Sequence, residues 1–246
     1  VTTCTIIPKI TKPIPKEHFM TNQELARHIQ FTNVNPEMTR NDLIAHCEAA
    51  IAHGFDAAMI APCWMPLALD ILKGSSSHVA TAFSFPSGND STAMKAACVR
   101  EILKSGVRDF DFTAQTSYLL SGMESEYFND LKAVADLAKG EGAQTKVIIE
   151  FGLLDEAQRK RGAELAVEAG IDFLKQSSGF VKGIPATPED IAFLKAIAGD
   201  RAKVKGSGKI NTREKALALI AAGASLVGTS SAVAILEEKE GDAAAY

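Results

Sequence analysis

The sequence predicts an α/β protein folded as a single (β/α)8 TIM barrel, and three observations carry that reading. Short apolar runs alternate with helical patterns from about residue 28 onward, the number of such pairs is eight, and the length of 246 residues suits one barrel. Alternation of this kind builds a parallel sheet, because each strand returns to the sheet through a crossover helix. A count of eight in this length favours closure over an open, doubly wound sheet. No Gly-x-Gly-x-x-Gly follows the first strand, which counts against a dinucleotide-binding domain.

The elements follow in order. The first strand is HIQFTNV (28–34), and its helix, TRNDLIAHCEAAIAHG (39–54), is capped at Thr39 and stopped at Gly54. DAAMIAP leads into CWMPLALDILKG, HVATAFSFP into TAMKAACVREILKSG, and VRDFDFTAQ into ESEYFNDLKAVADLAKGEG. TKVIIEFG leads into DEAQRKRGAELAVEAG, and IDFLKQSSG into TPEDIAFLKAIAG. AKVKGSG then leads into TREKALALIAAG, and ASLVGTSS into AVAILEE. Most of these helices end at glycine, the residue that takes the left-handed cap conformation without a Cβ penalty. No linker or break in composition divides the chain. Residues 1–246 are therefore read as one domain, with 1–27 an extension across the barrel bottom and 239–246 a flexible tail.

Composition excludes several function classes. The chain is 46% hydrophobic and 23% charged, enough apolar material for a substantial core. A net charge of −4 with dispersed basic residues gives no electrostatic case for nucleic acid. No apolar stretch reaches membrane-spanning length, and the N-terminal segment carries no charged leader followed by an apolar stretch. Cys4, Cys47, Cys63 and Cys98 show neither CxxC pairing nor zinc spacing, so no metal is expected. A cytoplasmic protein with reduced thiols is the expectation, with Cys47 a small core residue.

Two lysines stand out. FLKQSSGF (173–180) and KVKGSGKI (203–210) each end an apolar strand on a lysine and continue into a Gly/Ser turn. Strand ends at the C-terminal face form the mouth of a barrel, where active sites lie. Lys175 on the sixth strand and Lys205 on the seventh therefore face one pocket about 5 Å apart. Like charge and desolvation both disfavour the ammonium form, so at least one should deprotonate with unusual ease. A neutral amine in such a pocket is a nucleophile towards carbonyls. A single strand-end lysine would more simply extend to water; two on neighbouring strands point to function.

A carboxylate completes the set. DFDF (109–112) places Asp109 and Asp111 on one face and Phe110 and Phe112 on the other. Asp111, nearer the mouth, is read as a proton shuttle, and Asp109 as a structural partner of Lys146 or Lys203. Glu150 is either mouth wall or salt-bridge partner. The turns GSGKI (206–210) and GTSSAVA (228–234) precede the seventh and eighth helices, where barrels commonly bind phosphate. Gly208, Ser230 and Ser231 are the expected contacts, joined by Gly179, Lys209 and Gly228.

These segments, with FPSGND (85–90), KVIIEFGLL (146–154), AGIDFLKQSSGF (169–180), VKGSGKI (204–210) and AGASLVGTSSAVAIL (222–236), resemble the deoxyribose-phosphate aldolases. The resemblance runs from about residue 28 to the C-terminus. It implies a class I aldolase on a barrel, with Lys175 forming the Schiff base, Lys205 perturbing it and Asp111 relaying protons. It also implies a role for a C-terminal tyrosine, here Tyr246. The chain departs from the family pattern at Gln30, where aspartate is usual, at Gln176, where threonine is usual, and at Phe151 and Lys203. It departs again at Lys209, in place of a glycine, and at Asn211, in place of an arginine. Gln30 and Gln176 are accordingly expected among the substrate contacts.

The implied reaction is reversible aldol cleavage of 2-deoxy-D-ribose 5-phosphate, or a related sugar phosphate, to acetaldehyde and glyceraldehyde 3-phosphate. It uses no cofactor beyond the covalent lysine. A Schiff-base aldolase or dehydratase on a non-phosphorylated or carboxylated substrate is the alternative, and a non-catalytic sugar-phosphate binding barrel a third reading. The expected partners are small aldehydes and a second copy of the chain, in a homodimer.

Overall fold

The protein is described by a computed structural model over residues 20–181 and 183–241. Tyr246 and most of the N-terminal extension fall outside the described residues. Among the described residues, eight parallel strands close in chain order into a barrel, each neighbour paired with the next and β1 with β8. The strands are β1 (Ile29–Asn33), β2 (Ala57–Ile60), β3 (His78–Phe83), β4 (Asp109–Thr113), β5 (Gln144–Ile148), β6 (Phe173–Lys175), β7 (Lys203–Ser207) and β8 (Leu226–Thr229). Around them lie α1 (Asn22–Ala26), α2 (Arg40–His53), α3 (Met65–Leu72), α4 (Thr92–Ser105), α5 (Thr116–Leu120), α6 (Glu124–Gly140), α7 (Glu156–Ala169), α8 (Pro188–Ala198), α9 (Arg213–Ala221) and α10 (Ala232–Leu236).

Local chemistry sets the helix ends. Thr39 and Asp155 open α2 and α7 with reciprocal capping boxes, to Asp42 and Gln158, each cap worth about 1 kcal/mol. Gly54, Gly106 and Gly170 close α2, α4 and α7 in the left-handed region at φ 67°, 100° and 88°. The sequence missed α5, whose TSYLL is too short to show helical periodicity. It also ended the seventh strand at Lys205, whereas β7 runs two residues further to Ser207. Of the N-terminal extension, α1 is described. It packs beside α10, where Asn22 Nδ2 donates to the Leu236 carbonyl at 2.9 Å, and buries Leu25 and Ala26 in the outer core.

Two-residue alternation divides the side chains into two environments. Outward-facing Phe110, Phe112, Val147, Leu174, Val204 and Val227 pack against Leu43, Val99, Val134, Ala166, Leu194 and Leu219 of the helices, forming the main core. At roughly 1.5–3 kcal/mol per fully buried large apolar side chain, this layer supplies most of the driving force. The inner face is split. Ala57, Met59, Ala80 and Ala82 of β2 and β3 make a small apolar wall with Val34 and Phe85. The inner faces of β1 and β4 to β7 carry amides, carboxylates and lysines instead.

Candidate active site

The same alternation aims Asp109 and Asp111 of β4, Lys146 of β5, Lys175 of β6 and Lys205 of β7 into the barrel, and all five are almost completely buried. Lys175 and Lys205 stand opposite each other in register. Lys175 Nζ lies 2.9 Å from Asp111 Oδ2, and Lys205 Nζ lies 2.8 Å from that oxygen and 3.1 Å from Oδ1. Burial alone would raise the Asp111 carboxyl, but the charges and hydrogen bonds of the two lysines outweigh it and hold the group below its ordinary range. Asp111 is therefore an anion between two amines, suited to passing protons.

A second polar group lies one layer deeper. Lys146 pairs with Asp109, as the sequence reading allowed. Burial, and next the charge of Lys205, push the Lys146 ammonium well below the usual lysine range, against the pull of Asp56 and Asp172. Gln30 of β1 joins the layers. Its Oε1 accepts from Lys205 Nζ at 2.6 Å, and its Nε2 donates to Asp56 Oδ2 and Asp109 Oδ2, both at 2.9 Å. His78, at the foot of β3, approaches Asp109 Oδ2 at 2.7 Å. Among the described residues Asp56, His78 and Asp109 place donor atoms within 4.8 Å of one another, as a metal site would. The Gln30 amide already bridges the Asp56 and Asp109 oxygens and His78 takes the same Asp109 oxygen, so the group is closed by its own hydrogen bonds.

Above the lysines opens a cavity of about 810 Å3, lined by Thr32, Asn33, Gly179, Lys209, Ser230 and Ser231 among others. Thr32 and Asn33 end β1, and the others sit on the loops after β6, β7 and β8, so the turns singled out in the sequence converge. Ser230 Oγ is buried there with no hydrogen-bond partner among the described residues, an open position for a ligand oxygen. Lys209 holds a left-handed φ of 52°, and its side chain lies over Gly183. Gly208, at φ 112°, leaves no room for a Cβ, which would sit 2.7 Å from the Ile184 carbonyl oxygen. Phe85 and Phe180 meet edge to face, ring centres 5.2 Å apart.

Four expected contacts are not among the residues lining the cavity; Gly208 is one of them, packed against the Ile184 carbonyl beside Lys209. Gln30 is fully buried beneath Lys205 with both ends of its amide used, so it is not among the residues lining the cavity. Gln176 is also fully buried, and its Nε2 donates to the Ser207 carbonyl at 2.6 Å, tying the β6 loop to β7. Gly228 faces Lys205: a Cβ there would stand 3.1 Å from Lys205 Cε and 3.7 Å from Thr32 Oγ1. Its lack of a side chain makes space for the lysine. Among the described residues Glu150 neither lines the cavity nor pairs with a cation; its buried carboxylate accepts from Ser177 Oγ at 3.1 Å and Ser178 N at 3.0 Å, shaping the loop after Lys175. Thr32 was missed, although its place two residues after Gln30 put it on the same inner face.

Two buried lysines converging on one carboxylate beneath the mouth of a closed eight-stranded barrel define the class, a barrel carbon–carbon lyase of the aldolase type. The relatives narrow it. The chain is 39% identical over 221 residues to the deoxyribose-phosphate aldolase of Thermococcus kodakarensis, covering 89% of this chain and 98% of the relative. It is 37% identical over 215 residues to that of Geobacillus sp., covering 87% and 96%. Among solved structures, it resembles a deoxyribose phosphate aldolase from Aeropyrum pernix described as having a unique tetrameric structure. That match has a TM-score of 0.81 and 26% identity, over 88% of this chain and 91% of the other. It also resembles an aldolase called QR15, with a TM-score of 0.82 and 29% identity over 87% and 95%. No family model matches the sequence. The chain belongs to the deoxyribose-phosphate aldolase family.

Proposed function

We propose that this aldolase cleaves 2-deoxy-D-ribose 5-phosphate, or a related sugar phosphate, to acetaldehyde and glyceraldehyde 3-phosphate through a Schiff base on Lys175. The observation that carries the reading is the buried Lys175–Asp111–Lys205 contact, below a cavity lined by Lys209, Ser230 and Ser231. In the synthetic direction the Lys175 amine adds to the aldehyde carbon, Asp111 moves protons to and from the carbinolamine oxygen, and water leaves to give the imine. Loss of a proton from the adjacent carbon gives an enamine, which forms the new carbon–carbon bond with the acceptor aldehyde. Hydrolysis returns the free amine. The protonated imine is the electron sink, so the scheme calls for no cofactor.

Lys209, Ser230, Ser231 and the backbone at Gly179 are proposed to hold the phosphate, with Gly208 setting the turn that carries Lys209 and the small apolar wall of Met59, Ala80 and Ala82 beside the two-carbon donor. Tyr246 is proposed to reach the mouth. Gly241, five positions before it, lines the cavity and donates to the Asn211 carbonyl at 2.8 Å. Self-association is proposed as well, with a dimer expected and light scattering to read it. No helix among the described residues is long and apolar enough to cross a membrane.

Borohydride reduction in the presence of acetaldehyde, followed by peptide mapping, tests the chemistry: the adduct is expected on Lys175 and absent from Lys175→Ala. An adduct elsewhere, or one that survives Lys175→Ala, overturns the assignment. Turnover of deoxyribose 5-phosphate against deoxyribose and carboxylated aldols tests the substrate. The Lys209 cation would also suit a carboxylate, and that panel separates the two.

A further inference from the structure

We infer that Gln30 is a positioning residue that divides the roles within the lysine pair, holding Lys205 as the charged partner and leaving Lys175 as the amine that attacks. The inference rests on the Schiff-base reading above, and it gives a buried amide outside the cavity a part in the reaction.

The argument begins with the chemistry of an amide, which has a donor end and an acceptor end. Ionised carboxylates only accept. With Asp56 Oδ2 and Asp109 Oδ2 both 2.9 Å from one end of Gln30, that end must be the NH2 group. The carbonyl is then forced up the barrel, where Lys205 Nζ meets it at 2.6 Å. A flipped amide would set its oxygen against two carboxylates and its N–H groups against an ammonium. The orientation therefore follows from the neighbours.

The two lysines would otherwise be near equals. Both are buried, they face each other in register, and each touches Asp111 Oδ2, at 2.9 and 2.8 Å. Lys205 also reaches Asp111 Oδ1 at 3.1 Å and the Gln30 carbonyl, acceptors that suit the three N–H groups of an ammonium. Among the described residues Lys175 has Asp111 Oδ2 as its hydrogen-bond partner. Gln30 supplies much of this asymmetry. It does so without charge, so it directs a proton to Lys205 without drawing a further one onto the pair. The charged and titratable groups facing the pair are Asp111 between the lysines, Asp109 of β4 and Lys146 of β5 one layer below, and His78 of β3 with Asp56 before β2 at the far end.

The test compares wild type with Gln30→Met, which keeps the volume and removes the acceptor, and Gln30→Glu, which keeps an acceptor and adds charge. Three quantities are read across pH: kcat, KM for the phosphorylated substrate, and the rate of borohydride-trapped adduct formation at Lys175. For Gln30→Met, kcat and the trapping rate fall about tenfold, the scale of one hydrogen bond to a charged group, while KM stays within twofold. For Gln30→Glu, the acid limb of kcat/KM moves to higher pH, a change that a merely structural residue would not produce. Rates within twofold of wild type in Gln30→Met, or a loss confined to KM, overturn the inference. If Gln30→Met does not fold, Gln30→Glu decides alone, and an unmoved acid limb overturns it. Failure to trap wild-type Lys175 overturns the Schiff-base reading instead, so the two failures are distinguishable.

Discussion

Lys175 and Lys205 face each other across β6 and β7 and hydrogen-bond to the same oxygen, Asp111 Oδ2, at 2.9 and 2.8 Å. Their nitrogens are thus within about 6 Å of each other, where two positive charges in an effective dielectric near 20 repel by roughly 3 kcal/mol. One carboxylate offsets one of those charges. Both nitrogens therefore depend on the same anion, which is where proton movement between them must pass.

Asp111→Asn is expected to lower kcat by about 10²- to 10⁴-fold, the range for loss of a positioned proton carrier. The amide keeps the shape and removes both the anion and the shuttle. Steady-state kinetics, with circular dichroism to confirm folding, measure it; a loss below tenfold would assign proton transfer elsewhere.

Lys209→Gly is expected to separate stability from binding. The left-handed backbone at Lys209 favours glycine by about 1 kcal/mol, so urea unfolding should show equal or higher stability. Removal of the cation should raise KM about tenfold for a phosphorylated substrate, the scale of one lost charge-assisted contact, and leave an uncharged one unchanged.

Stability should fall with acid through His46. Burial, partly offset by the Phe31 carbonyl, lowers this imidazole from 6.5 to about 4. Between those values the unfolded chain binds a proton that the folded one does not, so stability is full above pH 6.5 and declines towards pH 4, by roughly 3 kcal/mol. His46→Gln keeps a donor for Phe31 and should flatten this part of the pH curve; an unchanged slope would exclude His46 as its source.

Lys95 and Asp130 form a fully buried pair between α4 and α6 at 2.6 Å, with Thr92 Oγ1 donating to Asp130 at 2.7 Å. Lys95→Met strands a buried carboxylate and should cost about 3–5 kcal/mol in urea unfolding. Adding Asp130→Leu should recover most of that loss, and kcat should not change in either variant that folds.

The features that were legible in the sequence are those set by short-range pattern. The period-2 alternation of DFDF placed Asp111 inside and its phenylalanines outside, and Thr39 and Gly54 marked the ends of α2. Lys175 and Lys205 stood out because a cation closing an apolar run is costly without a reason. Gln30 and Gly228 were misplaced, since residue type reveals which face a side chain takes but not how deep it lies. Gln176 shows the same limit: as a departure beside Lys175 it invited a substrate role, yet its amide ties the loop after β6 to the end of β7.

By itself, then, the sequence determined the alternation of strand and helix, the inner and outer faces, and the residue types available for amine chemistry. These depend on neighbours a few positions apart. The tertiary structure alone decided which groups meet. Lys205 and Gln30 lie 175 positions apart and touch because β8 pairs with β1 and closes the barrel. Closure fixes the stagger of every strand against the next, and that stagger sets the depth at which each inward side chain stands. Depth made Gln30 the partner of a lysine and left the cavity above to Thr32, Lys209 and the two serines.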